Sequence, residues 1–234
     1  MSNAIGEFSR YAHQYDNYNV IQVEVAKILV KQLASSEYKT LIDIGCGSGE
    51  VYKNVVKQDI LFEHFIALDS SREMLGIHPS DQKITKICAD FNSPQTFEKI
   101  TLEQNSLLLS SSALQWSTNL EYTLFEISKK VSSVHFAIFT SNTFKTLHKT
   151  AQISSPIYSV EVLKDNIGKY YEATFRLKEY KLYFQTTKEM FNYIKKSGVS
   201  GGKQQLTYKQ IKQLMKSYPF DYLEFEVLFV EARC

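Results

Sequence analysis

The segment Leu41-Ile42-Asp43-Ile44-Gly45-Cys46-Gly47-Ser48-Gly49 places three glycines behind an acid, in a chain with only 9 glycines and 4 prolines in all. The apolar run before it reads as a buried strand, and the residues from Glu50 onward read as a helix. The glycines therefore fall on a strand-to-helix turn. Gly45 and Gly47 let the backbone pass close to a ligand there, and Gly49 lets the helix start tightly. Asp69 lies twenty residues past Gly49, at the end of the next apolar run. A carboxylate at that place accepts hydrogen bonds from both hydroxyls of a ribose. Asp90 ends the third run and is followed by Phe91, which gives an acceptor for an adenine amino group and a ring beside it.

Asp43 separates two ligand classes. A dinucleotide presents an anionic pyrophosphate to the helix N-terminus, and a carboxylate two residues before the first glycine opposes it. A sulfonium methyl donor has no phosphate and carries a cationic sulfur and an amino group, which a carboxylate favours. Asp43, Asp69 and Asp90 together point to S-adenosylmethionine.

The elements that must hold these residues follow from the hydrophobic period. Residues 8–34 read as helical, with Val20, Val23, Ile28, Leu29 and Leu33 as an apolar stripe. Short apolar runs at Thr40–Gly45, His64–Asp69, Ile84–Asp90, Ser106–Ala113 and Val134–Ser141 alternate with helical stretches at Glu50–Gln58, Ser71–Leu75 and Asn119–Val131. That alternation predicts an α/β fold with a parallel sheet covered on both faces. Residues 144–178 are polar and Tyr-rich, and read as a helical insertion. A strand at Tyr180–Gln185, helices at Lys188–Ser197 and Lys209–Ser217, and a long apolar strand at Tyr222–Ala232 complete the chain.

Composition bounds the function. With 234 residues and 44% hydrophobic content, one domain spanning 1–234 is expected. The formal net charge of +2 is too small to imply nucleic acid. The three cysteines, Cys46, Cys88 and Cys234, form no metal-ligand spacing and no disulfide framework. No segment has the apolar length of a membrane span and no signal-peptide core opens the chain, so a cytoplasmic protein with no membrane partner is expected.

The loop and its acids resemble the class I S-adenosylmethionine-dependent methyltransferases, over roughly residues 38–141. That resemblance implies a Rossmann-like seven-stranded sheet of order 3-2-1-4-5-7-6 with the last strand antiparallel. It also implies a cofactor set of Asp43, Gly45, Cys46, Gly47, Asp69, Ser70, Met74, Asp90, Phe91, Ser110 and Gln115. A narrower resemblance spans nearly the whole chain. Phe8-Ser9-Arg10 with Tyr15-Asp16 and Gln22, the run Ser110–Trp116, Phe139-Thr140 with Leu147-His148, Tyr193-Ile194-Lys195 with Gly198, and Leu228–Arg233 look like the malonyl-acyl-carrier-protein O-methyltransferases of biotin synthesis, the BioC family. The chain departs from that pattern at Val23, where the family has Arg, at Ser111, where Asn is common, and at Val131-Ser132-Ser133 in place of a Pro-Gly turn.

The implied reaction transfers a methyl group from sulfur to the free carboxylate of malonyl-acyl carrier protein, or malonyl-CoA. That carboxylate is ionised at neutral pH, so no general base is required. Alignment can supply about 7–11 kcal/mol. Tyr15, Gln22, Trp116 and His148 are positioning candidates, with residues 8–34 as a helical lid. Tyr18, Trp116, His148, Lys195 and Ser200 are candidates for contact with the acceptor. An acyl carrier protein is acidic, which gives two lysine clusters a role in docking: Lys195, Lys196, Lys203, Lys209, Lys212 and Lys216, and Lys145, Lys149, Lys164 and Lys169. A methyltransferase of the same fold acting on a quinone, polyketide or organic acid would share every cofactor motif.

Overall fold

A computed structural model describes residues 18–98, 100, 105–196 and 205–234. Its sheet has seven strands: β1 (Glu37–Ile44), β2 (Leu61–Asp69), β3 (Ile84–Cys88), β4 (Ser106–Ser111), β5 (Ser133–Phe139), β6 (Glu172–Tyr183) and β7 (Tyr222–Arg233), in the order β3-β2-β1-β4-β5-β7-β6. The first five pair in parallel. β7 runs antiparallel between β5 and β6. This is the order and strand direction implied by the family resemblance.

The helices are α1 (Val20–Lys31), α2 (Glu50–Lys57), α3 (Arg72–Ile77), α4 (Pro94–Glu98), α5 (Leu120–Ser128), α6 (Lys145–Ala151), α7 (Val160–Ile167), α8 (Thr187–Lys196) and α9 (Tyr208–Ser217), with a 3-10 turn at Leu114–Trp116. They cover the two faces of the sheet and make two cores. One joins α1, α2, α6, α8 and α9 to Leu41, Phe65 and Leu109. The other joins α5 and α7 to Ile42, Ile44 and Leu108. Strand alternation divides β1 between them, so Leu41 and Asp43 share the face beneath α1. Ile21, Val25, Ala26, Leu29 and Val30 are the buried stripe of α1. Each fully buried large aliphatic chain contributes roughly 1.5–3 kcal/mol. That stripe, rather than a cap, fixes α1, since Asn19 makes no side-chain capping bond.

The sequence reading differs from the structure most at β6. Residues 144–178 were expected to be a helical insertion, with a strand only from Tyr180. Two helices, α6 and α7, do occupy that stretch, but residues 172–178 are already strand. The register with β7 is continuous from Glu172↔Arg233 to Tyr183↔Tyr222, while the covered face changes along the strand. Ala173 and Phe175 pack on the α7 side, whereas Tyr180 and Leu182 pack on the α1 side. The apolar phase therefore slips by one residue midway, and a period-2 search loses the first half. Of the expected helix at residues 8–34, residues 18–34 are described, and α1 takes up 20–31 of them.

His78 and His135 are 2% and 1% exposed, and burial lowers the pKa of both from the usual value near 6.5. The folded chain therefore refuses protons that the unfolded chain binds as pH falls through about 6.5. The stability these neutral rings confer is fully present above that value and declines below it. Denaturant unfolding of wild type and of H78Q/H135Q, measured from pH 8 to 5, checks this. The wild type should lose stability faster as pH falls, and parallel curves would show that neither ring matters.

Candidate functional site

β1 ends at Ile44, and the chain then turns through Gly45, Gly47 and Gly49, all at positive φ (72°, 52° and 87°). The turn is also sterically tight. A Cβ at Gly45 would run into the Ala113 methyl group, and one at Gly49 would lie 2.7 Å from Pro79 Cδ. The Gly45 and Cys46 N–H groups donate to Leu68 O at 2.8 and 3.0 Å. The Asp69 carboxylate continues the tie: its Oδ2 accepts from Gly47 N at 2.9 Å and its Oδ1 from Ser71 N at 2.8 Å. Each carboxylate oxygen offers two acceptor positions, so Asp69 holds the loop and keeps acceptor capacity on both oxygens. Burial raises its pKa, and the backbone donors oppose that rise.

The loop forms one wall of a cavity at the carboxyl edge of the sheet. Gln22 and Ala26 of α1, Asp69–Ser71 and Met74, Asp90–Asn92, Ser111–Ala113 and Trp116 line the rest of it. Four acids face this space (Asp43, Glu50, Asp69 and Asp90), and among the described residues no Lys, Arg or His lines it. Asp43 is fully buried, and neither of its oxygens has a hydrogen-bond partner among the described residues. Burial pushes its pKa well up, and the charge of Asp69 adds to the rise. Gln22 Oε1, Ser48 Oγ, Ser111 Oγ, Ser112 Oγ and Trp116 Nε1 are also buried and unpartnered, and all belong to cavity-lining residues. Buried polar atoms in a fold are ordinarily satisfied. Their concentration here fits a polar ligand, and the acids select one with positive charge or N–H donors.

Most of the expected cofactor residues converge on this cavity: Asp43, Gly45, Cys46, Gly47, Asp69, Ser70, Met74, Asp90 and Phe91 line it, as do the positioning candidates Gln22 and Trp116. Ser110 and Gln115 do not. Ser110 is fully buried and donates to Ile44 O at 2.8 Å, fastening β4 to β1. Alternation along β4 turns Ser111 to the cavity in its place. Gln115 is 4% exposed, with its amide nitrogen on Ser112 O at 2.6 Å. Asn92 was missed. It donates to Asp90 Oδ1 through both its backbone and its side-chain amide, at 2.9 Å each. Its Oδ1 accepts from Thr118 N at 2.7 Å, which locks the Asp90 loop to the segment following Trp116. A signal was present: Asp-x-Asn is a local side-chain-to-backbone turn motif.

The acceptor candidates are more scattered. Tyr18 accepts from Lys196 Nζ at 3.1 Å and does not line the cavity. Lys195 is exposed on α8. Tyr15 and Ser200 lie outside the described residues. His148 sits on α6, with Nδ1 buried and unpartnered. Burial lowers its pKa and the charge of Glu224 opposes the shift. Beyond the end of β5, Glu226 accepts from Asn142 Nδ2 at 3.0 Å and from the Thr140 hydroxyl, while Glu224 accepts from the Thr146 and Tyr218 hydroxyls. These two buried glutamates interrupt an otherwise apolar strand, and that was their sequence signal.

The chain matches no protein-family model. It is 26% identical to a malonyl-[acyl-carrier protein] O-methyltransferase of Priestia megaterium, over 97% of this chain and 93% of that one. The YcgJ protein of Bacillus subtilis superposes with a TM-score of 0.65 at 10% identity, covering 90% of this chain and 98% of that one. The Haemonchus contortus phosphoethanolamine N-methyltransferase 2, solved with S-adenosyl-L-methionine, superposes with a TM-score of 0.55 at 13% identity, covering 89% of this chain and 52% of that one. The sequence relatives carry the name malonyl-[acyl-carrier protein] O-methyltransferase, and with the solved structures, several of them named as methyltransferases, the chain shares its fold.

Proposed function

We propose that the chain binds S-adenosylmethionine in the acid-lined cavity and methylates the free carboxylate of malonyl-acyl carrier protein, or malonyl-CoA, as an early step of biotin synthesis. The single observation that carries the donor assignment is Asp43, a buried carboxyl that, among the described residues, has no partner and sits in a cavity lined by four acids and no base. The relative from Priestia megaterium, similar over nearly its whole length, supports the acceptor. When bound, the donor supplies an electrophilic methyl group on a sulfonium.

The chain's own residues then bind, orient and exclude water. Asp43 accepts from the donor's amino group, Asp69 from its ribose hydroxyls and Asp90 from its adenine amino group, with Phe91 against the ring. Gln22 and Trp116, which line the cavity, restrict water there. The acceptor carboxylate already carries its charge at neutral pH, so the site needs an aligned, desolvated approach rather than a base. His148, whose pKa burial lowers, is a hydrogen-bond donor for that carboxylate.

Three measurements test this reading. Labelled donor offered with malonyl-carrier protein should leave label as a base-labile ester on the conjugate. Tight donor binding with no label on any malonyl thioester would move the reading to another acceptor. Asp69→Ala should weaken donor binding by about 1.5–3 kcal/mol, and unchanged affinity in calorimetry would place the ribose elsewhere. A cationic ligand favours ionised Asp43, whose carboxyl is held well above its ordinary pKa. Donor binding should therefore release a proton, and affinity should climb with pH through that raised value before levelling. Calorimetry in two buffers of different ionisation enthalpy reads the proton. Asp43→Asn should abolish the release, and a release that survives in that variant assigns the proton to another group.

A further inference from the structure

Three helices on one side of the sheet carry a strong excess of one charge. Lys145 and Lys149 lie on α6, Lys188, Lys195 and Lys196 on α8, and Lys209, Lys212 and Lys216 on α9, with Glu189 as the one acid on the three helices. The chain as a whole has a formal net charge of only +2, so the rest of the molecule is net negative. α9 packs against both α6 and α8, and Leu147, Met190, Tyr193 and Leu214 anchor the three in one core. Two lysine clusters far apart in sequence thus become one surface. Lys209, Lys212 and Lys216 recur three and four residues apart, which makes a single stripe on α9, and all three are exposed. Among the described residues, Lys145 alone of the eight has an acidic partner, Glu179 at 3.3 Å.

The surface is also in the right place. α6 leaves the carboxyl end of β5, and α8 and α9 join the end of β6 to the start of β7 at that same edge. Lys196 reaches Tyr18, next to α1, whose Gln22 and Ala26 line the cavity. The other lysines of the insertion are excluded by the fold. Lys164 and Lys169 flank the opposite face of the sheet, where α7 packs on α5, and Lys169 is paired with Glu121 at 2.7 Å.

We infer that the α6–α8–α9 face docks an acidic carrier protein and brings its tethered acceptor to the cavity edge. This rests on the acceptor reading above and adds the surface that selects the carrier. Clustered charge of one sign steers an oppositely charged partner and fixes its orientation. Lys164 and Lys169 take no part in it.

The test compares wild type, K209E/K212E/K216E and K164E on two substrates: malonyl-carrier protein and the malonyl thioester of free pantetheine. The triple variant should raise KM for the carrier conjugate about 10- to 100-fold at low salt, with turnover of the pantetheine thioester and donor affinity unchanged. K164E should match wild type. Rising salt should bring the wild-type KM toward that of the variant. K209Q/K212Q/K216Q should show a smaller rise and serves where the charge reversal fails to fold. A wild-type KM in both triple variants overturns the docking surface while the acceptor reading stands. A parallel loss on the pantetheine thioester also overturns it, because the helix would then act on the chemistry. Methylation of neither substrate by wild type overturns the acceptor reading itself.

Discussion

A carboxyl group with no partner among the described residues, buried near the end of β1, is the constraint around which this molecule is arranged. Leaving a buried polar group without its hydrogen bond costs roughly 1–3 kcal/mol. Asp43 bears that cost on both oxygens, with the Asp69 charge adding to it. Such a position is tolerable only where surrounding packing is strong. β1 supplies it, because Leu41, Ile42 and Ile44 are fully buried against two separate cores. The strand is pinned from both faces, so its last acid is held in an unfavourable place.

Asp69 does a different job with the same functional group. Its two oxygens grip Gly47 and Ser71, so the glycine turn is closed by a side chain. A nucleotide-binding turn of this shape ordinarily offers its N–H groups to a pyrophosphate. Here the Gly45 and Cys46 N–H groups are spent on Leu68 O and the Gly47 N–H on Asp69. The turn therefore has little left to give an anion and a surplus of acceptors for a ligand that donates. Ligand class is decided by this redistribution of backbone donors more than by the glycine pattern.

That distinction explains what could be read from the chain and what could not. The glycine turn, Asp69 and the sheet order were legible because each rests on a local signal: a positive-φ residue type, an acid at a strand end, or alternation of apolar runs. Ser110 misled because strand alternation decides between it and Ser111, and one residue of register cannot be fixed from an apolar run alone. β6 misled because its covered face changes between Phe175 and Tyr180, which only the placement of α7 and α1 explains. Asn92 and Glu226 are marked locally, by the Asp-x-Asn turn and by an acid in an apolar strand, but the partners that give them their place, Thr118 and Asn142, lie 26 and 84 residues away, and no local pattern names those.

Charge is sorted by the fold in a way that the sequence total conceals. Among the described residues the cavity gathers four acids and no base, while α6, α8 and α9 gather lysines along the same edge. Opposite fields placed side by side would partly cancel if both were solvated. They do not share an environment: the acids line a recess bounded by buried strands, where interactions are strong and little screened, and the lysines stand in water, where the field is long-ranged but salt-sensitive. A small cation feels the first field only at contact. A large polyanion feels the second at a distance and is too big to enter the first. One sheet edge can in this way attract two reactants of opposite sign and keep each from the other's site.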